Sequence, residues 1–367
     1  MAKLVALARQ LGKLGPLAGL SLLPASCDSP TEPADSQYEV QLLGTLTPGR
    51  SCCSEAFAVN RDGIVVGVGS FSPGRAFRWS AQKGMEDLGT LGGREGAYRE
   101  AAAYDINERG DIVGFSDDAA GSNHHAVLWA GGVLTDLAVG CESRERCRGA
   151  TAINDSGWVV GFRQVAPSYG VEPPRPFIWR DGQISDLEPS GAFEEVLAIN
   201  NIGHVVGRGS GNVGAVWDGT TVQSLESSLD GVPFGPSIAL SVNDLGQVVG
   251  WGYRGAGSQT PWWGSDRVSE FLFQDGRLQE LPTLGGQGAH ATGISRLGEI
   301  VGGAQDSSGI YHAVLWRELR PIALPLPPGA VSAQARDINA AGVIVGVAVL
   351  DSRLQEYQAV VWTPIRP

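Results

Sequence analysis

Short apolar runs separated by turn residues cover the chain from residue 38 onward. The runs are four or five residues long, consist mainly of Val, Ile, Leu and Ala, and are bounded by clusters rich in Gly, Asn, Asp and Pro. Short β-branched runs between turn clusters predict strands. No stretch after residue 30 shows the 3.6-residue apolar period of an amphipathic helix. The sequence therefore predicts an all-β chain.

One unit recurs seven times within this pattern. An apolar stretch ends in Val or Ile followed by Asn, and Gly stands three residues after the Asn, as in AVNRDG and DINERG; Ser295 replaces Asn in the sixth unit. These positions are 43 to 52 residues apart, a period that belongs to propeller blades or to helical arrays, and the helical period is missing here. The repeated Asn residues are Asn60, Asn107, Asn154, Asn200, Asn243 and Asn339.

Each unit has the features of four strands. A strand ends at the Asn, whose side chain can cap a tight turn. A second strand follows that we expect to end in Gly, as at Gly67, where Gly fits either a bulge or a close approach of the neighbouring blade. A fourth strand is expected to contain the Asp-Leu-Gly sequence of residues 87–91. A third strand ends in an aromatic residue expected to pack between sheets, at Trp79, Trp129, Trp179, Trp217, Phe273, Trp316 and Trp362.

Four strands per repeat predict a seven-bladed β-propeller over residues 38–367. The last unit stops after its third strand, whereas residues 38–46 (YEVQLLGTL) resemble a fourth strand that precedes the first unit. This N-terminal strand is therefore expected to complete the last blade and close the ring, which removes open sheet edges. Small residues two positions before each Asn are expected to face the central axis, at Ala58, Asp105, Ala152, Ala198, Ser241, Gly293 and Asp337.

The order of these elements resembles the HAF repeat of bacterial extracellular proteins. Residues 87–129 and 281–316 show it best: DLGTLGG or a relative, an Ala-rich strand, DIN or AIN, VVG and HAVLW. The fifth unit departs from the pattern because it lacks the Trp, and the sixth because it lacks the Asn. The resemblance implies export and a repeat fold, and it supplies no catalytic residues.

The N-terminus has the layout of an export signal. Residues 1–13 carry three basic residues, and residues 14–25 form an apolar stretch too short to span a bilayer. The stretch ends in LPASC, which resembles a lipobox, so residues 1–26 are expected to be removed and Cys27 to be lipidated. Residues 27–37 are polar and Pro-rich, as in a flexible tether. The expected location is the bacterial cell envelope, on the periplasmic side or the cell surface, or outside the cell if Cys27 is not lipidated.

Four further cysteines form an even set for an oxidising compartment. Cys141 and Cys147 lie in one polar segment and could form a disulfide, whereas adjacent Cys52 and Cys53 could pair only through a strained ring. No His stands at ligand spacing near either pair, so no metal site is predicted.

The charge of the chain argues against one class of partner. The formal net charge is −12, and loss of the first 26 residues with their three basic side chains leaves −15. A negative surface repels polyphosphate, so nucleic acid is not an expected partner. Only the N-terminal lipid is expected to contact membrane, and a monomer without cofactor is predicted.

The sequence contains no recognisable catalytic motif. His125 and His312 share one repeat position beside Ala, which favours a structural role. His290, which we expect in the loop GGQGAHAT, is the one histidine placed where a site on the ring face could use it. An alternative function, a hydrolase or lyase acting on extracellular polysaccharide, would require carboxylates to converge with His290 on one substrate bond.

An insertion in the fifth unit supplies the main binding candidates. It lies between the second and third strands and carries Tyr253, Trp262 and Trp263, on the face where loops between blades also emerge. These rings could stack on a ligand or could instead cover the edge of the blade. Arg94, Arg99 and His290 are further candidates on this face. We therefore predict a non-enzymatic scaffold that binds a protein or a glycan, with a purely structural envelope protein as a further alternative.

Overall fold

The computed structural model describes most of the chain after residue 36. The described ranges are 37–46, 53–71, 74–92, 100–118, 124–137, 145–165, 175–187, 191–225, 228–229, 232–254, 268–351, 353 and 356–365. They form seven antiparallel sheets and no helix, so the described part of the chain has no helix that could span a membrane. The chain is a seven-bladed β-propeller, as predicted.

The strands follow one another in chain order within the blades. The first blade contains β2 (Glu55–Val59), β3 (Val65–Phe71), β4 (Gly74–Ser80) and β5 (Gly84–Asp87). The second contains β6 (Ala101–Ile106), β7 (Ile112–Asp117), β8 (His124–Ala130) and β9 (Val133–Asp136). The third contains β10 (Glu145–Ile153), β11 (Val159–Val165), β12 (Arg175–Arg180) and β13 (Gln183–Asp186). The fourth contains β14 (Phe193–Ile199), β15 (Val205–Gly209), β16 (Val213–Trp217) and β17 (Val222–Ser224).

The remaining blades show the two irregularities of the ring. The fifth has an additional short strand and contains β18 (Ser228–Leu229), β19 (Val232–Val242), β20 (Val248–Arg254), β21 (Val268–Gln274) and β22 (Arg277–Glu280). The sixth contains β23 (Gly285–Ile294), β24 (Ile300–Asp306), β25 (Tyr311–Arg317) and β26 (Arg320–Ala323). The seventh combines both ends of the chain: β27 (Ser332–Ile338), β28 (Ile344–Asp351), β29 (Glu356–Pro364) and β1 (Tyr38–Gly44).

The N-terminal strand closes the ring, which confirms the prediction. Strand β1 pairs antiparallel with β29, with Tyr38 opposite Pro364 and Leu42 opposite Val360. The first strands of neighbouring blades contact one another around the axis, and β27 contacts β2 to complete the circle. Turns between first and second strands and between third and fourth strands therefore lie on one side of the ring, the turn face. The other connections lie on the opposite side, the loop face.

Each repeated Asn has two structural roles, of which the sequence predicted one. The Oδ1 atom of Asn107 accepts hydrogen bonds from the backbone N–H groups of Arg109 (3.0 Å) and Asp111 (2.9 Å), so it caps the turn as expected. Its Nδ2 donates to the carbonyl oxygen of Asn154 in the next blade at 3.1 Å. The same donation to the next blade recurs from Asn60, Asn154, Asn200, Asn243 and Asn339, over 2.8 to 3.4 Å.

These side chains form a ring of hydrogen bonds around the axis, the Asn ring, with one missing link. Ser295 keeps the capping role, because its Oγ accepts from the N–H groups of Leu297 and Glu299. A hydroxyl that stops at Cβ cannot extend a second donor to the next blade. The Asn ring therefore lacks one hydrogen bond, the one from the sixth blade to the Asn339 carbonyl oxygen.

The repeated Gly does not end the second strand, contrary to the prediction. Strand β3 continues beyond Gly67 to Phe71, and Gly67 lies opposite Ala56 beside a bulge in β2. A Cβ at Gly67 would collide with the carbonyl oxygen of Glu55, and the equivalent collision occurs in all seven blades. The bulge explains the residue, because it pushes a carbonyl toward the second strand. The approach is within one blade and not between blades.

Only the Asp of the Asp-Leu-Gly sequence lies within the strand to which the motif was assigned. Strand β5 ends at Asp87, whose Oδ1 accepts the N–H of Gly89 at 2.8 Å, so the motif forms the exit from the fourth strand. Leu88 donates its N–H to Ala76 and lies beneath the next blade, where Trp129 Nε1 donates to the Leu88 carbonyl at 3.1 Å. The predicted core packing is confirmed for the repeated aromatics that are buried: Trp79, Trp129, Trp217, Phe273, Trp316 and Trp362.

Candidate functional site

Strands β20 and β21 of the fifth blade present polar and aromatic side chains toward the sixth. Val249 and Leu272 pack in the apolar core between these two blades. Because side chains alternate along a strand, Trp251 and Glu270, two positions nearer the loop face, point the same way. Trp251 and Glu270 are also paired directly in the strand register. Tyr253 lies against Trp251 edge to face, with ring centroids 5.8 Å apart.

The sixth blade completes a cluster of five side chains, which we call the blade 5–6 cluster: Trp251, Tyr253, Glu270, His290 and Tyr311. His290 Nδ1 lies 3.2 Å from Glu270 Oε1. The ring of Tyr311 stacks on His290 with centroids 5.2 Å apart and planes at 19°. A Cβ at Gly288 would strike the Tyr311 hydroxyl, so the glycine leaves room for that ring.

The electrostatics of the cluster centre on the buried carboxylate. Glu270 is only 3% exposed, and a buried carboxylate is stable only beside a partner, here the His290 imidazole. Burial, together with the nearby Glu270 charge, raises the pKa of Tyr311, which keeps its hydroxyl protonated. The side chain of His290 remains one third exposed. The cluster therefore offers solvent an imidazole edge and aromatic faces over a fixed negative charge.

Aromatic faces beside hydrogen-bonding groups suit a ligand with both apolar faces and hydroxyl groups. Trp and Tyr rings stack on the C–H faces of such a ligand, while imidazole and phenol groups can donate or accept hydrogen bonds. In the described structure His290 contacts the Glu270 carboxylate and the Tyr311 ring.

A cavity of about 260 Å³ lies along the central axis, separate from the blade 5–6 cluster. The small residues two positions before each Asn line it, as predicted, so Asp105 and Asp337 project into it. Burial raises the pKa of Asp105 to about 7, and the nearby Asp337 adds to this effect. Burial likewise raises the pKa of Asp337 to about 6.

Both axial carboxylates join neighbouring blades. Asp105 Oδ2 accepts the N–H of Ile153 at 2.8 Å, and its Oδ1 accepts that of Ile106 at 2.8 Å. Asp337 Oδ2 accepts the N–H of Val59 at 2.9 Å across the closure of the ring. These oxygens accept hydrogen bonds from backbone N–H groups, so the two carboxyl groups join the first strands of neighbouring blades.

Two arginine side chains carry positive charge at the axis, one near the loop-face end of the cavity and the other at the turn face. Arg336 lines the cavity and is ion-paired with Glu55 of the first blade. Arg296 lies at the turn face, where it is ion-paired with Asp155 of the third blade and lies 3.6 Å from Asp244 of the fifth. Arg296 therefore bridges three blades across the end of the axis.

The structure brings together two of the binding residues predicted from sequence. Tyr253 and His290 both belong to the blade 5–6 cluster. His290 lies within strand β23 and not in a loop, because residues 289–294 pair with β24. The prediction that Tyr253 belongs to the insertion is wrong, because strand β20 continues to Arg254. Trp262, Trp263, Arg94 and Arg99 lie outside the described residues.

The cysteine predictions are mostly beyond the described part of the chain. Cys27, Cys52 and Cys141 lie outside it, and the side chain of Cys147 is not described. Cys53 is buried and disulfide-bonded. Among the described residues, no group of three or more His, Cys, Asp or Glu side chains could hold a metal ion.

Two other histidines have structural contacts. His125 Nδ1 lies 2.9 Å from Asp136, and His312 Nε2 lies 2.8 Å from Asp306, each within its own blade.

Glu270 and Tyr311 were not identified from the sequence. The signal that could have found Glu270 is its position two residues before the core residue Leu272, where an apolar side chain would be expected.

Similarity to known proteins extends to the fold. No protein-family model matches the chain, and no curated protein matches it in sequence. Among similar solved structures, a gluconolactonase of Xanthomonas campestris is 13% identical with a TM-score of 0.41, covering 95% of this chain and 98% of its own. The β-propeller domain of the Trilobed protease from Pyrococcus furiosus is 8% identical with a TM-score of 0.49, covering 84% and 93%. The lectin of Aleuria aurantia is 12% identical with a TM-score of 0.36, covering 75% and 96%.

Proposed function

We propose that the chain is an exported, lipid-anchored and non-enzymatic propeller that binds a glycan at the blade 5–6 cluster. The lipid anchor is the one expected at Cys27. The observation that carries the binding proposal is the combination of partly exposed rings with the His290 and Glu270 pair at one junction of two blades. Tyr253 of this cluster lies one residue before the end of strand β20 at Arg254.

A carbohydrate fits the chemistry of the cluster better than a folded protein does. Sugar rings present C–H faces to aromatic side chains and hydroxyl groups to a carboxylate or an imidazole. A protein interface of ordinary size requires an area of about 800 Å² on each partner, whereas the described cluster is one small group of side chains. A protein ligand remains the alternative that the experiment below separates.

The non-enzymatic part of the proposal is supported by the axial carboxylates. A polysaccharide hydrolase would need two carboxylates free to reach one glycosidic bond. Asp105 and Asp337 instead accept backbone hydrogen bonds from neighbouring blades. Glu270 is buried beneath His290 and lies away from the axis in the third strand of its blade.

Glycan-array binding of the mature chain tests the proposal. Changing Trp251→Ala or His290→Ala is expected to reduce binding by about tenfold or more, because each removes a stacking or hydrogen-bonding group. Glu270→Gln keeps the shape of the side chain and separates the role of the charge. His125→Ala is the matched control, since it removes a carboxylate-paired histidine from the second blade.

The outcomes separate the alternatives. Retention of glycans by the intact chain and by His125→Ala, with loss in Trp251→Ala and His290→Ala, supports the proposal. Absence of glycan binding by the intact chain contradicts it, as does equal binding by all variants. Turnover of a bound polysaccharide, seen as new reducing ends, would contradict the non-enzymatic assignment. Mass spectrometry of the N-terminal peptide tests lipidation of Cys27 separately.

A further inference from the structure

Three consecutive blades expose a large aliphatic side chain at one repeat position on the turn face. The residues are Ile202 (58% exposed), Leu245 (71%) and Leu297 (72%), in the fourth, fifth and sixth blades. Each stands two positions after the residue that caps its turn. Since successive turns are linked by the Asn ring, these side chains follow one another around the face. We call them the aliphatic arc.

The arc is confined to one sector of the ring. The equivalent positions in the first three blades hold Asp62, Arg109 and Ser156. Sequence repetition therefore does not explain the aliphatic residues, because the same turn accepts polar ones. Clustered exposed aliphatic side chains mark a surface that contacts another apolar phase.

Some of the charges in this sector form ion pairs. Arg296 lies between Asp155 and Asp244, and Asp244 also accepts the backbone N–H of Asn201 at 2.8 Å. Next to the arc, Glu299 is paired with Arg317 at 2.8 Å. Pairing lowers the electrostatic cost of bringing these charges toward another surface.

The N-terminal segment joins the propeller on this same face. Gln37 accepts the N–H of Ile365 at 2.7 Å, and its side chain accepts a hydrogen bond from Arg317 at 3.3 Å. Arg317 is the partner of Glu299, which follows the turn that carries Leu297. The segment that precedes Gln37 therefore starts beside the aliphatic arc.

We propose that the aliphatic arc docks on the surface of the phospholipid bilayer to which Cys27 is anchored. This inference rests on the lipid anchor of the proposed function. Nine residues lie between Cys27 and Gln37, so the ten fully extended steps that join them span at most about 36 Å. A tether this short keeps the turn face close to the bilayer and adds to the contact that the aliphatic side chains make by themselves. Docking would point the loop face, and with it the blade 5–6 cluster, away from the membrane.

Vesicle flotation of the unlipidated chain 28–367 tests the docking. All described contacts of the propeller lie within residues 37–365, so this chain retains the complete described fold. Vesicles of phosphatidylethanolamine and phosphatidylglycerol serve as the probe. The triple change Ile202→Ser, Leu245→Ser and Leu297→Ser is expected to lower the vesicle-bound fraction by about tenfold or more, because it removes most of the apolar contact.

A matched control changes exposed aliphatic residues of the opposite face. Ile310 and Val331 are 51% and 55% exposed and lie in loop-face connections; the double Ser variant is expected to bind vesicles within about twofold of the unchanged chain. Failure of the unchanged chain to float, or equal loss in the control, overturns the inference. So does a change in oligomeric state of the triple variant without loss of flotation, which would identify a second copy as the occupant. Glycan-array binding and the mass of the Cys27 peptide are read independently, so a failure of the proposed function is distinguishable.

Discussion

The missing link of the Asn ring can be restored by one substitution, Ser295→Asn. In every other blade the Asn carbonyl accepts two hydrogen bonds, one from the turn Gly and one from the preceding blade; Asn107, for example, accepts from Gly110 and from Asn60. The Asn339 carbonyl accepts the N–H of Gly342 at 3.0 Å, and no contact from the sixth blade accompanies it in the described structure. The new Asn would supply that donor and keep the capping acceptor.

The magnitude follows from one added intramolecular hydrogen bond. A typical net contribution is about 0.5–1.5 kcal/mol, and ordering the longer side chain offsets a fraction of it. We expect the free energy of unfolding to rise by about 1 kcal/mol. The reverse substitution in a complete link, Asn107→Ser, is expected to lower it by at least about the same amount, because the cap is retained while Nδ2 loses its hydrogen bonds to Asn154 and to Asp111.

Equilibrium urea unfolding of both variants measures the effect. A change in midpoint at constant slope reports stability, whereas a changed slope reports a different unfolded or native surface. Ser295→Ala controls for the cap, whose loss is expected to destabilise the chain by about 1 kcal/mol. If Ser295→Asn leaves the midpoint unchanged or lowers it while Asn107→Ser is neutral, the Asn ring contributes nothing and the reasoning is refuted.

Three further predictions concern packing and charge. Gly302→Ala would place a methyl group against the His290 carbonyl, and we expect about 1–3 kcal/mol of destabilisation, read as a lower urea midpoint; an unchanged midpoint would mean that the bulge is soft. Since the pKa of Asp105 is about 7 in the folded chain and near 4 unfolded, the folded state binds the extra proton between those values, so this contribution to stability is lost as the pH rises through 7. Asp105→Asn should flatten the decline in urea midpoint between about pH 4 and pH 7, and an unaltered slope would exclude Asp105 as its source. Arg296→Met is expected to change the free energy of unfolding by less than about 1 kcal/mol, because its ion pairs are partly exposed, and a larger loss would show that the bridge across the axis is a major stabilising element.

The sequence was sufficient for the fold because one short motif marks the same bend in every blade. The Asn turns, the terminal aromatics and the unpaired strand at residues 38–46 together define the number of blades and the closure. The ends of the strands were harder to predict from the sequence. The repeated Gly indicated a bulge as one alternative, but the extension of β3 beyond Gly67 to Phe71 was not predicted.

The candidate site was only partly predictable for a related reason. Tyr253 and His290 were identified from unusual positions in the repeat, but Glu270 and Tyr311 join them through contacts between two blades. Such contacts depend on how far each strand extends toward the loop face, and the alternation of buried and exposed residues does not report that length. The second role of each Asn was not predicted either, because the acceptor of Nδ2 is 43 to 52 residues away in five blades and 279 residues away for Asn339.

The pairing of β1 with β29 makes the seventh blade the last to be completed during synthesis. Its outer strand is the first of the described strands to be made and its partner the last, so β1 must remain unpaired until the whole chain is available. Contacts of such long sequence separation form slowly, and an unpaired strand is open to association with other chains in the meantime. The six preceding blades can form in order. The ring that protects their sheet edges is closed only after β1 pairs with β29. Closure is therefore the step at which folding of this chain competes with aggregation.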